Sequence, residues 1–424
     1  MSLRGIARHD GTGLFWLLTF ILLWLPIGSS WADTAVNTYT TGDQNRSAVA
    51  ADGQGRFIVV WESEGQDGDG SGIFGRRFQA DGEPVGDEFA VNDYTTGDQS
   101  QPRVSANTDG QFIVVWQGSG GGASGDVLAR RFDAQGVPLD NQFQINEDTS
   151  LDQRSPAVAL ADDGSFLAVW SNEDRLAARR FDELSNPITG DFEIAVNDVY
   201  GAYGFRSFHR RDVEALPAGD FVVVWQDHLY TGYGYAYSDL ILGAIIDEQS
   251  TSVTPFNASS GAPAEQQRSP ALAPAADGGF VVVWGGYTDY AAYSRILGRR
   301  FADDGTPQGA LFDPTPAGYT VLRPEGVAAI GSDRFLVVWN DSEIEGRYIA
   351  TDGTPLSAPF IINADPSGSD GQPAVASAGR DVMVTWTRDD GGAALDEVTG
   401  TVRLLLFFDG FESGGTLAWS AVSP

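Results

Sequence analysis

The densest run of oxygen ligands in the chain is Asp67-Gly68-Asp69-Gly70-Ser71-Gly72. Oxygens at alternate positions followed by glycine resemble the opening of a calcium loop, because a hard cation gathers oxygen ligands from a tight bend. Phe78 stands where such a loop would supply a bidentate glutamate, and Glu62 and Glu64 are the nearest substitutes. A plain glycine turn is the competing reading. Calcium on Asp67, Asp69 and Ser71 is the one cofactor the sequence suggests. His209 and His228 make a poor zinc pair, since no third ligand has suitable spacing. Cysteine is absent, which excludes thiol chemistry, and there is no Gly-x-Ser-x-Gly elbow and no nucleotide-binding glycine motif. With 58 acidic residues, a two-carboxylate glycosidase stays open.

Two further groups have recognition chemistry. Tyr230, Tyr233, Tyr235 and Tyr237 follow Asp227 and His228, Tyr287 and Tyr290 flank Asp289, and Tyr200 and Tyr203 precede His209. A tyrosine ring is flat and apolar with a polar tip, which suits a sugar ring or a protein surface. The same rings also serve simply to pack the loops that carry them. The candidate ligand-binding set is Tyr200, Tyr203, Asp227, His228, Tyr230, Tyr233, Tyr235, Tyr287, Asp289 and Tyr290. The second group is Arg46, Arg103, Arg154, Arg211, Arg268 and Arg323, at the entry to strand A in six of the seven repeated segments. A ring of guanidinium groups at a channel mouth would take carboxylate, sulfate or phosphate bidentately. Their offsets differ and Asp43, Asp98 and Asp152 are near, so salt bridges between blades are the alternative.

The elements that position these residues come from a repeat. An apolar run ends in Trp61, Trp116, Trp170, Trp225, Trp284, Trp339 and Trp386, mostly at intervals of 54–59 residues. Such a period signals a propeller or solenoid. Each unit reads as four short strands: a PAVA-like strand A, the tryptophan strand B, a GRRF-like strand C with paired arginines such as Arg76 and Arg77, and a strand D ending in Val-Asn. Strand B lacks polar alternation, so both of its faces are covered. The expectation is an all-β, seven-bladed propeller of four-stranded antiparallel blades. The last unit lacks strand D, and Thr34–Asn37 is an orphan D-like strand. Pairing the two would complete blade 7 and close the ring. The predicted blades lie near 38–92, 93–146, 147–197, 198–257, 258–313, 314–363 and 364–408 plus 34–37, within a propeller spanning 33–408.

Alternating strands put the B–C loops and D–A connections on one face. Those loops vary in length, and in blades 4 and 5 they hold the tyrosines, so this face is the expected ligand surface. The formal charge of −32, with every basic residue an arginine, repels nucleic acid. Residues 1–32 read as a signal peptide: Arg4 and Arg8, an apolar run from Leu14 to Ile27, and cleavage after Ala32. No later stretch reads as a membrane span, and the expected location is secreted or at the outer cell surface.

The segments Val59–Trp61, Asp67–Phe78, Asp81–Val91 and Val91–Gln99 resemble a tandem repeat of large secreted bacterial proteins, adhesin-type proteins among them. Strands A and B are similar to those of sialidase-type propellers, although the Ser-x-Asp-x-Gly-x-x-Trp turns of those enzymes are missing. The tail 409–424, beginning near Phe408-Asp-Gly-Phe411-Glu-Ser-Gly, is similar to a terminal sorting motif of exported Gram-negative proteins. The sequence thus favours a non-catalytic binding propeller for a glycan or cell-surface protein. A glycoside-processing hydrolase or lyase with acidic residues at the channel mouth is the first alternative, and an adhesin-type scaffold the second.

Overall fold

A computed structural model describes residues 33–118, 125–172, 175–196, 206–230, 237–248, 250–262, 266–287, 294–315, 324–341, 343–363, 370–388 and 396–403. The signal-peptide region 1–32 and the tail 409–424 lie outside them. After β1 (Thr34–Ala35) come β2 (Gln44–Ala51), β3 (Phe57–Glu64), β4 (Ser71–Phe78) and β5 (Pro84–Ala90). The second repeat is β6 (Gln99–Ala106), β7 (Phe112–Gly118), β8 (Asp126–Phe132) and β9 (Phe143–Gln144). The third is β10 (Arg154–Leu160), β11 (Phe166–Ser171), β12 (Arg175–Phe181) and β13 (Phe192–Val196). The fourth, with longer strands, is β14 (Arg206–Ala215), β15 (Phe221–Tyr230), β16 (Tyr237–Ile246) and β17 (Val253–Asn257). The fifth is β18 (Gln266–Pro274), β19 (Phe280–Tyr287), β20 (Ser294–Phe301) and β21 (Pro307–Phe312). The sixth is β22 (Pro324–Ile330), β23 (Arg334–Asn340), β24 (Ile344–Ala350) and β25 (Phe360–Ile361), and β26 (Gly371–Ala378), β27 (Asp381–Arg388) and β28 (Glu397–Arg403) end the series.

The fold is an all-β propeller of four-stranded antiparallel blades. It departs from seven separate blades. Five four-stranded sheets stand alone, while the fourth and fifth repeats fuse into one eight-stranded sheet. The cause is a length mismatch. β17 covers β16 only from Leu242 to Ile246, so the rest of that ten-residue strand keeps an open edge. β18 takes it through a single parallel bridge, Asp239 opposite Gln266. β1 pairs antiparallel with β28, Thr34 opposite Gly400 and Ala35 opposite Thr399, in the order β1-β28-β27-β26.

Apolar side chains fill the spaces between successive sheets. In β3, Phe57, Val59 and Trp61 join Met383 and Val398 of the last sheet, while Ile58 and Val60 join Phe112, Val114 and Trp116 of the second repeat. A period-2 strand covered on both sides needs an unbroken apolar run, and this is the origin of the FIVVW pattern. Two polar motifs brace it. The indole N–H of Trp116 donates to Gln99 at 3.0 Å and that of Trp170 to Gln153 at 2.8 Å, both glutamines fully buried. The Val-Asn asparagines sit just beyond strand D. Asn92 accepts from the Ile73 amide at 2.7 Å, Asn146 from Val127 at 2.9 Å and Asn363 from Ile344 at 2.9 Å. The paired strand-C arginines tie both neighbours: Arg76 donates to the Val36 carbonyl and Arg77 to that of Ala134, each at 3.0 Å.

Among the described residues no helix is long and apolar enough to cross a membrane. Gln153→Leu strands the Trp170 indole N–H and the carbonyls of Asp148 and Leu151, which Gln153 holds at 2.9 Å. Urea unfolding is expected to show a loss of about 1–3 kcal/mol. Leu184→Gln, at a position 67 % exposed, is expected to change stability by less than about 0.5 kcal/mol.

Candidate functional site

The inner strands β2, β6, β10, β14, β18, β22 and β26 line a central cavity of about 1420 Å³. The strands converge there, so small side chains are demanded. Opposite the residue that precedes each tryptophan, the inner strands carry Ala48, Ala157, Ala271, Gly326 and Ala374. The two exceptions are Arg103 and Asp212. Two residues further along, the equivalents are alanine or serine in every repeat except the fourth, which has Glu214.

Each inner strand is also bulged near its loop-side end. Six bulges contain a non-glycine residue in the left-handed region: Arg46, Gln101, Ser155, Arg210, Ser269 and Gln372, with φ between 28° and 55°. L-residues adopt that region at a cost, and its repetition at one level re-aims the side chains around a common rim. All six line the cavity.

Charge concentrates on one side of this rim. Arg46 pairs with Glu62 at 2.9 Å, and Arg210 with Glu325 at 3.0 Å. Arg211 donates to the Ser155 carbonyl at 2.7 Å and to Ser171 Oγ at 2.8 Å. Arg103 donates to its neighbour's carbonyl, Pro102, at 2.9 Å, and among the described residues it makes no ion pair. Its side chain is open to the bore, yet strands enclose it on all sides, and that enclosure lowers its pKa despite the carboxylate of Asp212. Burial, then the charge of Arg103, lowers Arg211 to about 9. Asp212 accepts from the Leu272 amide at 2.9 Å and from the Val213 amide at 3.0 Å, but burial outweighs these bonds and raises it to about 6. Burial first, and then the Asp212 charge, raises Glu214 well above the usual range. These two carboxyls lie two residues apart on β14, hence on one face of the strand.

The structure redistributes the expected arginine ring. Arg46, Arg103 and Arg211 line the bore, and Arg323 lies outside the described residues. Arg154 and Arg268 do not line it. Each stands one position before its left-handed residue and so points elsewhere, Arg154 to Asp152 at 2.6 Å and Arg268 to Asp239 at 2.9 Å. Arg210, Asp212 and Glu214 belong to the site and were not among the expected residues. Their signal is that strand A of the fourth repeat reads Arg211-Asp212-Val213-Glu214-Ala215 where its counterparts hold mostly small residues.

Of the expected ligand-binding set, Tyr200, Tyr203, Tyr233, Tyr235, Asp289 and Tyr290 lie outside the described residues. Tyr230 ends β15 in register with Tyr237, and Tyr287 ends β19. Asp227 is buried in β15. Next to it, His228 Nδ1 bonds Asp239, which is wholly buried and also held by Arg268. That triad marks the seam where the fourth and fifth repeats fuse. Asp67, Asp69 and Ser71 of the calcium-like loop are engaged in hydrogen bonds. Asp67 accepts from Asn92 at 3.0 Å, Asp69 from the Gly97 amide at 3.3 Å, and the Ser71 amide donates to Asp98 at 3.1 Å. These bonds tie the first B–C loop to the next D–A connection. Among the described residues no group of three or more acidic or histidine side chains is placed to hold a metal.

No family model matches the chain, and no curated protein matches it. Solved structures do. An ulvan lyase of the PL25 polysaccharide lyase family aligns at 9% identity over 88% of this chain and 98% of its own, with a TM-score of 0.58. The polysaccharide lyase Uly1 aligns at 10% identity over 87% and 90%, TM-score 0.52. A protein from Dyadobacter fermentans aligns at 12% identity over 87% and 97%, TM-score 0.50. At these identities the likeness establishes the propeller fold.

Asp212 links the site to stability. Its folded carboxyl holds a proton more tightly than the unfolded one, so protonation stabilises and ionisation destabilises. Stability is therefore expected to fall as pH rises from about 4 through about 6, and to level off above. Asp212→Asn removes that penalty while keeping an acceptor for the Leu272 amide. In thermal melts the variant is expected to gain on the order of 2 kcal/mol over the native protein near neutral pH, and little near pH 4.

Proposed function

We propose that this chain is an exported propeller that binds a polysaccharide on the face where the B–C loops lie. In this reading its seven four-stranded units form a closed ring, supported by the β1–β28 pairing and by the apolar cluster that joins Phe57, Val59 and Trp61 to Met383 and Val398. The observation that carries the functional reading is the break in the repeat's own rule. A purely structural bore needs alanine or glycine at each crowded position, yet Arg103, Asp212 and Glu214 put enclosed, poorly hydrated charge there and Arg210 adds to the rim. Charge maintained against its desolvation cost marks function more often than packing. Glycans suit a site with convergent guanidinium and carboxyl groups above a wide cavity, and the propeller fold is shared with polysaccharide lyases. The extended strands of the fourth repeat, reaching Tyr230 and Tyr237, form one wall of the surface.

A second reading is a glycoside-processing enzyme. It draws on the two carboxyls of Asp212 and Glu214 on one strand face, since a carboxyl kept protonated near neutral pH is suited to general acid catalysis. One experiment separates the two. The mature protein is passed over immobilised neutral and acidic polysaccharides while the solution is assayed for new reducing or unsaturated ends. Binding without turnover, weakened about tenfold by Arg210→Ala, is the expected result. Turnover that Glu214→Gln abolishes would make the protein an enzyme. Retention on no polysaccharide would remove both readings.

A further inference from the structure

Arg103 is unlike the other arginines of the bore. Arg46 and Arg210 are each paired with a glutamate, and Arg211 is spent on carbonyl and hydroxyl oxygens of the third repeat. Arg103 reaches into the cavity from a layer that is otherwise alanine and glycine except for Asp212, and its hydrogen bond to the Pro102 carbonyl leaves most of its donors for a guest. A guanidinium presents five N–H donors in a rigid fork, a match for a planar carboxylate or a sulfate. We propose that the bore holds an anion subsite for a carboxylate- or sulfate-bearing sugar unit, with Arg103 as its anchor and with Asp212 and Glu214 setting its occupancy by their protonation.

The surrounding charges support this assignment. Across the seam, β18 offers the Leu272 amide, and its Arg268 is occupied by Asp239. On the other side β10 offers Arg154, occupied by Asp152. β15 faces β14 with Val222 and Val224. From β2 and β22 come the compensated pairs Arg46–Glu62 and Arg210–Glu325. Among the described residues Arg103 makes no ion pair, and Asp212 is the bore carboxyl whose charge reaches it, with Glu214 two residues along the same strand face. With Asp212 neutral the Arg103 charge is left for an anion, and ionised Asp212 offsets it. Burial already favours the neutral carboxyls, so mildly acidic solution opens the subsite and alkaline solution closes it.

The sugar identity rests on the polysaccharide reading, while the anion site does not, and the experiment keeps them apart. Glucuronate, a sulfated monosaccharide and glucose are titrated calorimetrically into the mature protein at about pH 5 and about pH 8, at constant ionic strength. The two anions are expected to bind at least about tenfold more tightly at the lower pH, and glucose not to respond. Arg103→Gln should lose both anions at both pH values while still unfolding cooperatively. The double variant Asp212→Asn, Glu214→Gln should carry the tight binding up to about pH 8. Unchanged anion affinity in Arg103→Gln, or affinity independent of pH in the native protein, would overturn the subsite. Polysaccharide retention with no response to these anions would sink the subsite and leave the glycan reading standing, whereas anion binding without retention would do the reverse.

Discussion

The second strand of every repeat is buried on both faces, and most of the molecule answers to that constraint. A strand covered on one side can alternate apolar and polar residues, but a strand between two neighbours cannot. Phe57, Val59 and Trp61 look toward the last sheet while Ile58 and Val60 look toward the second repeat. The tryptophan is the largest of these groups and brings an N–H into the dry interior. The buried glutamines at the start of strand A supply its acceptor, as Gln153 does for Trp170. Not every repeat keeps this arrangement: the Trp339 indole donates to Glu345 at 2.8 Å, the Trp225 and Trp386 indoles have no partner among the described residues, and in the fourth repeat Phe208 stands at the glutamine position.

The same repeat departs from pattern in three other ways. Its strands reach ten residues, its third strand leaves an edge that β18 takes, and its inner strand carries Asp212 and Glu214 into the bore. These departures have one physical theme. A blade designed only to pack would keep its inner strand small and its edges matched. Longer strands project beyond the ends of their neighbours, and buried charge at the axis stores free energy that a bound partner can recover. Specialisation in one unit also explains how a repetitive scaffold obtains a single asymmetric site.

Much of the architecture was legible in the chain because it follows from local periodicity. The apolar runs, the Asp-Gly turns and the Val-Asn ends locate strands without any knowledge of tertiary contacts, although the asparagines turned out to cap the strands rather than end them. The arginine ring was only partly legible. Its members fall on either side of a left-handed bulge residue, and a shift of one position sends a side chain to the other face of a strand. Arg103 and Arg211 therefore enter the bore while Arg154 and Arg268 leave it, a distinction that residue type does not encode.

The sequence alone determined the all-β propeller class of the fold and the antiparallel order of strands within a unit, because hydrophobic spacing and turn chemistry act within a few residues of one another. The tertiary structure decided which charges meet. Asp212 and Glu214 become unusual acids only when the fold shields them from water, and Arg103 comes near Asp212 only because the second and fourth repeats line one cavity. Tertiary contacts also decided the partners of the calcium-like loop, whose groups bond Asn92, Gly97 and Asp98 of the next connection. Burial and long-range proximity are properties of the assembled fold, and no window along the chain contains them.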